Sequence, residues 1–203
     1  MTDYTPQEAA VLAGANLRSV QKAITEKRIK VRLKKGRRLV DETGVYVVAV
    51  SASVPDNWKI PTHDLVMIVR NRVMVAEAKR PYRAVHRGEP DDVSLGRAGA
   101  WSFNPGRVIP GVQERMALYE KARRELIERN PEILGGTPVI AGTRLNVYAI
   151  AARLEGGETV EELRGEYPYV TGEQLEAARL YARANPLRGR PGGRPWLKKS
   201  RRS

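Results

Sequence analysis

The chain has 203 residues, with 36 Lys and Arg against 23 Asp and Glu, and therefore a formal net charge of +13. This length allows one large domain or about two to three small ones, and 41% hydrophobic residues are enough to build their cores. The apolar runs are far shorter than the roughly 18 residues of a membrane-spanning helix, and no signal-peptide core follows Met1. We therefore expect a cytoplasmic protein with no membrane partner.

The residue types exclude several kinds of site. There is no cysteine, so disulfides, thiolate nucleophiles and cysteine-ligated metal centres are impossible. His63 and His86 do not have the spacing of a zinc site. We expect no metal and no other cofactor.

The positive charge is concentrated in two short segments. Residues 18–38 hold ten basic residues and one acid, a net of +9, and residues 188–203 hold seven basic residues and no acid, a net of +7. Residues 39–187, between them, have a net charge of −1. Because the distribution of charge indicates partners more than fold, the two segments predict two separate contacts with charged partners.

The first segment begins with two predicted short helices joined by a turn. Thr5, Pro6 and Glu8 have the pattern of a capping box with Pro at the first helical position, and Gly14 ends that helix. Asn16 can cap the second helix. Four apolar residues of the second helix are expected to face inward: Leu17, Val20, Ala23 and Ile24. A helix, a turn with Gly and a helix with a basic outer face are typical of helix-turn-helix DNA binding.

The helices are followed by a predicted basic β-hairpin. Ile29, Val31 and Leu33 alternate with basic residues, Lys35-Gly36 is the expected turn, and residues 37–40 return as the second strand. Together with the Tyr-Thr-x-x-Glu-Ala-Ala-x-Leu-Ala-Gly run of residues 4–14, this order resembles the winged helix-turn-helix of the MerR and excisionase type. The resemblance covers about 40 residues and implies DNA binding.

Ten residues of this module are candidate DNA contacts. Arg and Gln can read base edges with paired hydrogen bonds, whereas cations on a hairpin are expected to hold the phosphate backbone. The candidates on the second helix and its cap are Asn16, Arg18, Ser19, Gln21 and Lys22. The candidates on the hairpin are Arg32, Lys34, Lys35, Arg37 and Arg38. The alternative is that these charges form a solvated surface with no partner, which is the usual role of a charge run.

The middle of the chain gives weaker signals. Residues 44–54 are interpreted as a strand that extends the first module or as part of a dimer contact, and residues 64–79 as two strands. Residues 81–111 are rich in Gly and Pro and predict an irregular connection. The chain is therefore divided into four parts: 1–54, 55–111, 112–187 and 188–203.

One catalytic pattern lies in the connection. Asp64, followed by Glu77 and Lys79 after an apolar strand, has the order of a nuclease motif in which two acids hold Mg²⁺ and a lysine activates water. Such spacings are common by chance, and the neighbouring sequence is short and rich in Gly and Pro. We therefore expect no enzyme activity and keep a magnesium-dependent nuclease as the alternative.

Residues 112–187 predict a helix, a hairpin and three more helices. Apolar residues at helical spacing predict an amphipathic helix over 112–129. Pro138 to Ile140 and Thr143 to Leu145 are expected to form a tight hairpin. Three helices with N-terminal caps should follow, beginning after Asn146, Thr159 and Thr171.

The sequence of residues 130–183 resembles the family catalogued as domain of unknown function 433. The shared motifs are a Gly-x-Pro-Val-Ile-x-Gly-Thr-Arg hairpin at 136–144 and a Tyr-Pro-x-Val-Thr linker at 167–171, with Leu145-Asn146 where many members have Ile-Pro. The resemblance implies a helix-turn-helix-like fold and a role as a VapB-type antitoxin paired with a PIN-like ribonuclease toxin. The expected fold class is α+β and mainly helical, with an N-terminal winged helix-turn-helix and a C-terminal hairpin and three-helix domain.

The basic arm, residues 188–203, permits three interpretations. It is an inert solubilising tail, an Arg-Gly-Arg-Pro segment for the minor groove of A·T-rich DNA, or an arm that orders on an acidic partner. We prefer the third, because a PIN-like nuclease carries a carboxylate cluster that guanidinium groups can pair with while Trp196 fills a pocket. The candidate toxin contacts are Arg188, Arg190, Arg194, Trp196 and Lys198.

The combined hypothesis is a type II antitoxin that neutralises a PIN-like ribonuclease toxin and represses its own operon as a homodimer on operator DNA. Residues 131–187 hold eight Glu against five Arg, so the second module is expected to contact protein and not DNA. The alternative among binding proteins is a transcriptional regulator with no toxin.

Overall fold

The computed structural model describes residues 2–54, 66, 69, 93–95, 101–103 and 107–187. This part of the chain is mainly helical and contains three small antiparallel sheets. None of the helices described is long and apolar enough to cross a membrane. Residues 188–203, with all five candidate toxin contacts, lie outside the described residues, as do His63, His86 and the Asp64, Glu77 and Lys79 pattern.

The N-terminal elements follow the predicted order. They are β1 (Asp3–Tyr4), α1 (Pro6–Ala13), α2 (Leu17–Thr25), β2 (Val31–Lys34), β3 (Arg37–Asp41) and α3 (Glu42–Ala52). The sheet has the order β1-β3-β2, and both pairings are antiparallel. The two predicted helices and the hairpin are thus confirmed as elements.

Local capping explains where α1 and α2 begin and end. Glu8 accepts a hydrogen bond from the Thr5 amide at 2.6 Å, and the Thr5 hydroxyl accepts one from the Glu8 amide at 3.3 Å. Gly14 ends α1 in the left-handed conformation, with φ of +67°, which a residue with a Cβ atom rarely adopts. Asn16 then caps α2 by accepting a hydrogen bond from the Ser19 amide at 2.8 Å.

The predicted strand over residues 44–54 is wrong, because residues 44–52 belong to helix α3. Asp41 caps the helix by accepting a hydrogen bond from the Gly44 amide at 2.8 Å. Every residue from 44 to 50 is buried, since α3 packs against α1, α2 and a later helix. A Val-rich helix that is covered all round has no amphipathic period, so its sequence resembles a buried strand.

The C-terminal elements begin with α4 (Ile109–Lys121), which continues as a π-helical turn over Ala122–Leu126. They continue with β6 (Ile127–Glu128), a 3₁₀ turn (Leu134–Gly136), β7 (Val139–Ile140), α5 (Val147–Glu155), α6 (Val160–Glu166) and α7 (Gly172–Ala184). Asn146, Thr159 and Thr171 cap the last three helices as predicted.

Two details of this region differ from the sequence prediction. The helix expected over 112–129 gives way to strand β6, because Ile127 and Glu128 pair with Ile140 and Val139 of β7. The expected second hairpin strand at 143–145 does not form as a strand. That side is joined by a bridge between Val139 and Asn146 and by hydrogen bonds from the Ile140 amide to the Leu145 carbonyl and from the Val147 amide to the Pro138 carbonyl.

Little of the middle segment is described. Val66 and Val69 are helical, which contradicts the strand predicted at those positions. Strands β4 (Val93–Leu95) and β5 (Trp101–Phe103) pair with each other, so the segment expected to be an irregular connection contains a short hairpin. The remaining residues of 55–106 lie outside the described part.

One continuous apolar core joins the N-terminal and C-terminal elements. Helix α1 packs against α4 and α7, and α3 packs against α4. The largest fully buried side chains come from both parts: Tyr4, Leu12, Tyr119, Ile140, Leu163 and Leu175. The four-part division of the chain stays a prediction, but residues 2–54 and 107–187 share this core.

Candidate nucleic-acid interface

Helix α2 buries one face and exposes the other. Val20 and Ala23 are buried as predicted, and Ile24 is half-buried. Leu17 is exposed, contrary to the prediction, because it is the first residue of the helix and no described element covers it. The buried stripe fixes the rotation of α2 against α1 and α3, so the outer face is fixed as well.

The five candidate residues on α2 and its cap fall into two groups. Arg18, Gln21 and Lys22 are exposed along the outer face. Asn16 and Ser19 serve the cap, because the Ser19 amide and hydroxyl both donate to the Asn16 side chain, at 2.8 and 3.1 Å. The side-chain oxygen of Asn16 is therefore engaged in holding the start of α2, which leaves the outer face to the other three.

The hairpin of β2 and β3 is closed by a tight two-residue turn. Lys35 and Gly36 both have positive φ, +49° and +72°, as a type I′ turn requires. The register pairs Lys34 with Arg37 and Leu33 with Arg38. All five candidate residues of the hairpin are exposed: Arg32, Lys34, Lys35, Arg37 and Arg38.

Leu33 shows how far the hairpin extends beyond the core. It lies on the same face of the hairpin as Val31 and Val40, as the alternation predicts, but it is 76% exposed whereas Val40 is fully buried. The apolar core therefore ends between the Val31–Val40 pair and the Leu33–Arg38 pair. The tip of the hairpin therefore carries Arg38 on the face of Leu33, and Lys34 and Arg37 on the opposite face.

The ion pairs of the described residues leave out several of these cations. Within the described residues, no ion pair involves Arg18 or the four cations nearest the turn: Lys34, Lys35, Arg37 and Arg38. Arg32 contacts Asp3 at 3.4 Å, and Arg28 pairs with Glu26 at 2.7 Å. The exposed cations of α2 and the hairpin thus form a positively charged surface, which we call the basic surface.

Several cations of the C-terminal part are paired with glutamates. Arg153 pairs with Glu158 at 2.6 Å and also with Glu166, which lowers the pKa of the Glu166 carboxyl to about 2 through the hydrogen bond from Arg153. Three further pairs lie on the same part: Arg179 with Glu176, Arg183 with Glu155, and Lys121 with Glu173.

A buried polar link connects the cap of α1 to the end of α7. The Tyr119 hydroxyl donates to Glu8 at 2.6 Å and accepts from the Asn185 side-chain amide at 2.8 Å. Burial, followed by the hydrogen bond to Glu8, raises the pKa of Tyr119 above its ordinary range. The Gln7 side chain also donates to the Arg183 carbonyl at 3.2 Å. These contacts fix α1 on the C-terminal helices.

A second link holds the turn between α1 and α2. Arg115, on α4, donates from its Nε atom to the Leu12 carbonyl at 2.8 Å, and its guanidinium lies beside Gly14. Because Arg115 and Leu12 are about a hundred positions apart, no local sequence signal reveals the contact. Sequence analysis missed both Tyr119 and Arg115 as residues that support the basic surface.

The described residues offer no group of His, Asp or Glu side chains close enough together to hold a metal ion. This statement does not extend to Asp64, Glu77 and Lys79, which lie outside the described part. The chemistry of the described surface is that of charge and hydrogen bonding.

Comparison with known proteins identifies one part of the chain. The segment from residue 127 to residue 182 matches the family model described as "Protein of unknown function (DUF433)". Residues 127–182 form a DUF433 domain. The domain begins at strand β6 and ends within helix α7, so it excludes α1, α2 and the basic hairpin.

Two individual proteins are similar to the chain. "Uncharacterized protein y4eO" of Sinorhizobium fredii is 48% identical over 80 residues, which is 39% of this chain and 36% of the relative. The chain therefore spans about a third of the length of that relative. The crystal structure of Rv2018 from Mycobacterium tuberculosis is 19% identical, with a TM-score of 0.31 over 86% of this chain and 95% of that one.

Proposed function

We propose that residues 2–54 bind double-stranded DNA through the basic surface. The observation that carries this proposal is that Arg18, Lys34, Lys35, Arg37 and Arg38 are exposed and form no ion pair among the described residues. Cations that are not already neutralised can displace the counterions condensed on DNA, which is the main source of affinity for a polyanion.

The arrangement of α1, α2 and the hairpin supports a winged helix-turn-helix mode of binding. Helix α2 would enter the major groove with Arg18 and Gln21 toward base edges, while the hairpin would hold the phosphate backbone. Only five residues separate the end of α2 from the start of β2, so the hairpin begins close to the C-terminal end of the helix. A homodimer on two half-sites is part of this proposal.

A fluorescence anisotropy titration tests the proposal. The full chain is titrated onto a labelled duplex taken from upstream of its own reading frame and, separately, onto a mixed-sequence duplex of the same length. We expect salt-sensitive binding to both and tighter binding to the upstream duplex. Equal weak binding that does not change with salt would contradict the proposal.

We further propose that the chain is an antitoxin that neutralises a PIN-like ribonuclease through the DUF433 domain and the arm at 188–203. Two features support this: the motifs that resemble the antitoxin family fall within residues 127–182, and the surface of this region is acidic and internally paired, which suits contact with protein. The arm would supply Arg188, Arg190, Arg194, Trp196 and Lys198 to the acidic site of the toxin.

Co-expression with the product of the adjacent reading frame tests this part. If that product is a PIN-like ribonuclease, we expect it to co-purify with the chain and to lose its RNA cleavage. Deletion of residues 188–203 should weaken the inhibition while DNA binding largely survives. Unchanged inhibition by the truncated chain would show that the arm is not the toxin-binding segment.

Two alternative functions predict different experimental results. A transcriptional regulator without a toxin would bind the upstream duplex but would not capture the neighbouring product. A nuclease based on Asp64, Glu77 and Lys79 would cleave DNA or RNA in the presence of Mg²⁺, and Glu77→Ala would abolish the cleavage.

A further inference from the structure

The side chain of Arg115 differs from every other half-buried arginine that the structure describes. Four described arginines are half-buried: Arg28, Arg115, Arg153 and Arg179. Three of them contact a carboxylate at 2.5 to 2.7 Å, whereas no ion pair of Arg115 is present among the described residues. A guanidinium that loses water without gaining a carboxylate is unfavourable unless another anion supplies the contact.

Among the described residues, Arg115 uses only one of its donors in a hydrogen bond. A guanidinium offers five N–H groups, and Arg115 uses the one at Nε for the Leu12 carbonyl, at 2.8 Å. Its Nη1 and Nη2 atoms lie beside Gly111 and Gly14, where an added Cβ would be 3.4 and 3.2 Å away. Burial lowers the pKa of this guanidinium, and the charge of the adjacent Glu114 carboxylate partly opposes that shift.

The position of Arg115 relates it to the candidate DNA-binding helix. Gly14 is an exposed residue of the turn between α1 and α2, and Arg18 follows it on the first turn of α2. In a helix-turn-helix protein, the helix before the turn crosses the DNA backbone while the second helix enters the groove. A duplex bound to α2 therefore brings phosphates past this turn.

We propose that Arg115 is a phosphate-binding residue of the DNA interface, contributed by helix α4 from outside the N-terminal module. Its Nε atom anchors the side chain to the turn, and its Nη atoms face the backbone phosphate. The proposal rests on DNA binding by residues 2–54. It implies that the DNA interface includes a residue of the C-terminal part of the chain.

The test compares Arg115→Gln with the wild-type chain on a mixed-sequence duplex of about 30 base pairs, between about 50 and 200 mM KCl. The amide nitrogen of Gln stands where Nε stands in Arg, so the bond to Leu12 can persist while the charge and the Nη donors are removed. We expect weaker binding and a slope of log K against log salt that is smaller by about 0.9, the value for one phosphate contact.

Two variants serve as controls, and a third is held in reserve in place of Arg115→Gln. Arg115→Lys keeps the charge and should keep the wild-type slope. Arg164→Gln, which removes an exposed cation from α6, should leave the slope unchanged. If thermal melting shows that Arg115→Gln does not fold, Arg115→Met, which keeps the apolar stem, replaces it.

The salt slope separates a phosphate contact from a structural role. A merely structural Arg115 would lower the melting temperature, but the folded variant would have the wild-type slope, and that result would overturn the inference. If Arg37→Gln reduces the slope and Arg115→Gln does not, only this inference fails. If the wild-type chain shows no salt-dependent binding, the proposed DNA binding and this inference both fail.

Discussion

The N-terminal elements and the C-terminal helices differ in how often their cations are paired with carboxylates among the described residues. On α2 and the hairpin, Arg18, Lys34, Lys35, Arg37 and Arg38 project without carboxylate partners among the described residues. On the C-terminal helices several cations are paired with glutamates, as shown by the links of Arg153 to Glu158 and Glu166. Ion pairs of this kind compensate charge locally, so they leave little potential for a polyanion. Because of this difference, we propose DNA as the partner of the N-terminal elements and protein as the partner of the C-terminal helices.

The largest expected effect comes from removing the hairpin charges. A variant with Lys34→Gln, Lys35→Gln, Arg37→Gln and Arg38→Gln should lose on the order of 100-fold in affinity for a mixed-sequence duplex at low salt, because four phosphate contacts are lost. The matched control is Arg144→Gln with Arg164→Gln, two exposed arginines of the DUF433 domain. If the control weakened binding as much as the hairpin variant, the contrast between the two parts would be wrong.

The outer face of α2 should contribute sequence preference. Arg18→Ala and Gln21→Ala should each reduce discrimination between the upstream duplex and a mixed-sequence duplex by about 1–3 kcal/mol, the effect of one lost base contact. Gln21 carries no charge, so Gln21→Ala should leave the mixed-sequence affinity unchanged. Competition titrations with both duplexes measure the ratio. An unchanged ratio in both variants would show that α2 does not read bases.

The buried link between the two parts should matter for stability. Tyr119→Phe removes the hydroxyl that contacts Glu8 and Asn185, which leaves a buried carboxylate and a half-buried amide without this partner. The free energy of unfolding should fall by about 1–3 kcal/mol in urea denaturation. Tyr169→Phe is the control, because Tyr169 is 65% exposed and should tolerate the change. Equal stability of the Tyr119 variant and the wild type would show that this buried link does not stabilise the fold.

The smallest expected effect concerns the Arg153–Glu166 pair. The folded-state pKa of the Glu166 carboxyl is about 2, below its ordinary value of 4.5. The ionised Glu166 therefore stabilises the fold above pH 4.5, and this contribution disappears as the pH falls toward 2. The melting temperature of Glu166→Gln should therefore be below that of the wild type at pH 7 and equal to it near pH 2. Glu161→Gln is the exposed control. A difference that grows as the pH falls would have the wrong sign.

Local signals in the sequence predict the caps and several element boundaries. Thr5 with Glu8, Asn16, Thr159 and Thr171 begin helices where expected, because a cap is formed by residues only about three positions apart. The hairpin turn at Lys35-Gly36 is similarly local. These features determine the order of the elements around the basic surface.

Contacts between distant residues account for the wrong predictions. Helix α3 has the composition of a strand, and its burial by α1, α2 and α4 decides its form. Strand β6 interrupts the helical spacing of apolar residues, because Ile127 pairs with Ile140 of strand β7. The exposure of Leu33 depends on where the core ends, and alternation in a sequence carries no such information.

The candidate site is predictable only in part for the same reason. The exposed cations of α2 and the hairpin follow from periodicity and are where the sequence places them. Their contrast with the paired arginines, and the contribution of Arg115, depend on which glutamates lie nearby in the fold. Charge counts alone do not separate a paired arginine from an unpaired one.

The salt dependence of DNA binding by the full chain tests the central claim most directly. The slope of log K against log salt on a mixed-sequence duplex counts the phosphates that the protein neutralises. If the four cations at the hairpin turn each contact a phosphate, the slope should be about −3.6 or steeper, and the hairpin variant should lose most of it. A slope near zero, or the same slope in wild type and hairpin variant, would contradict DNA binding by the N-terminal module.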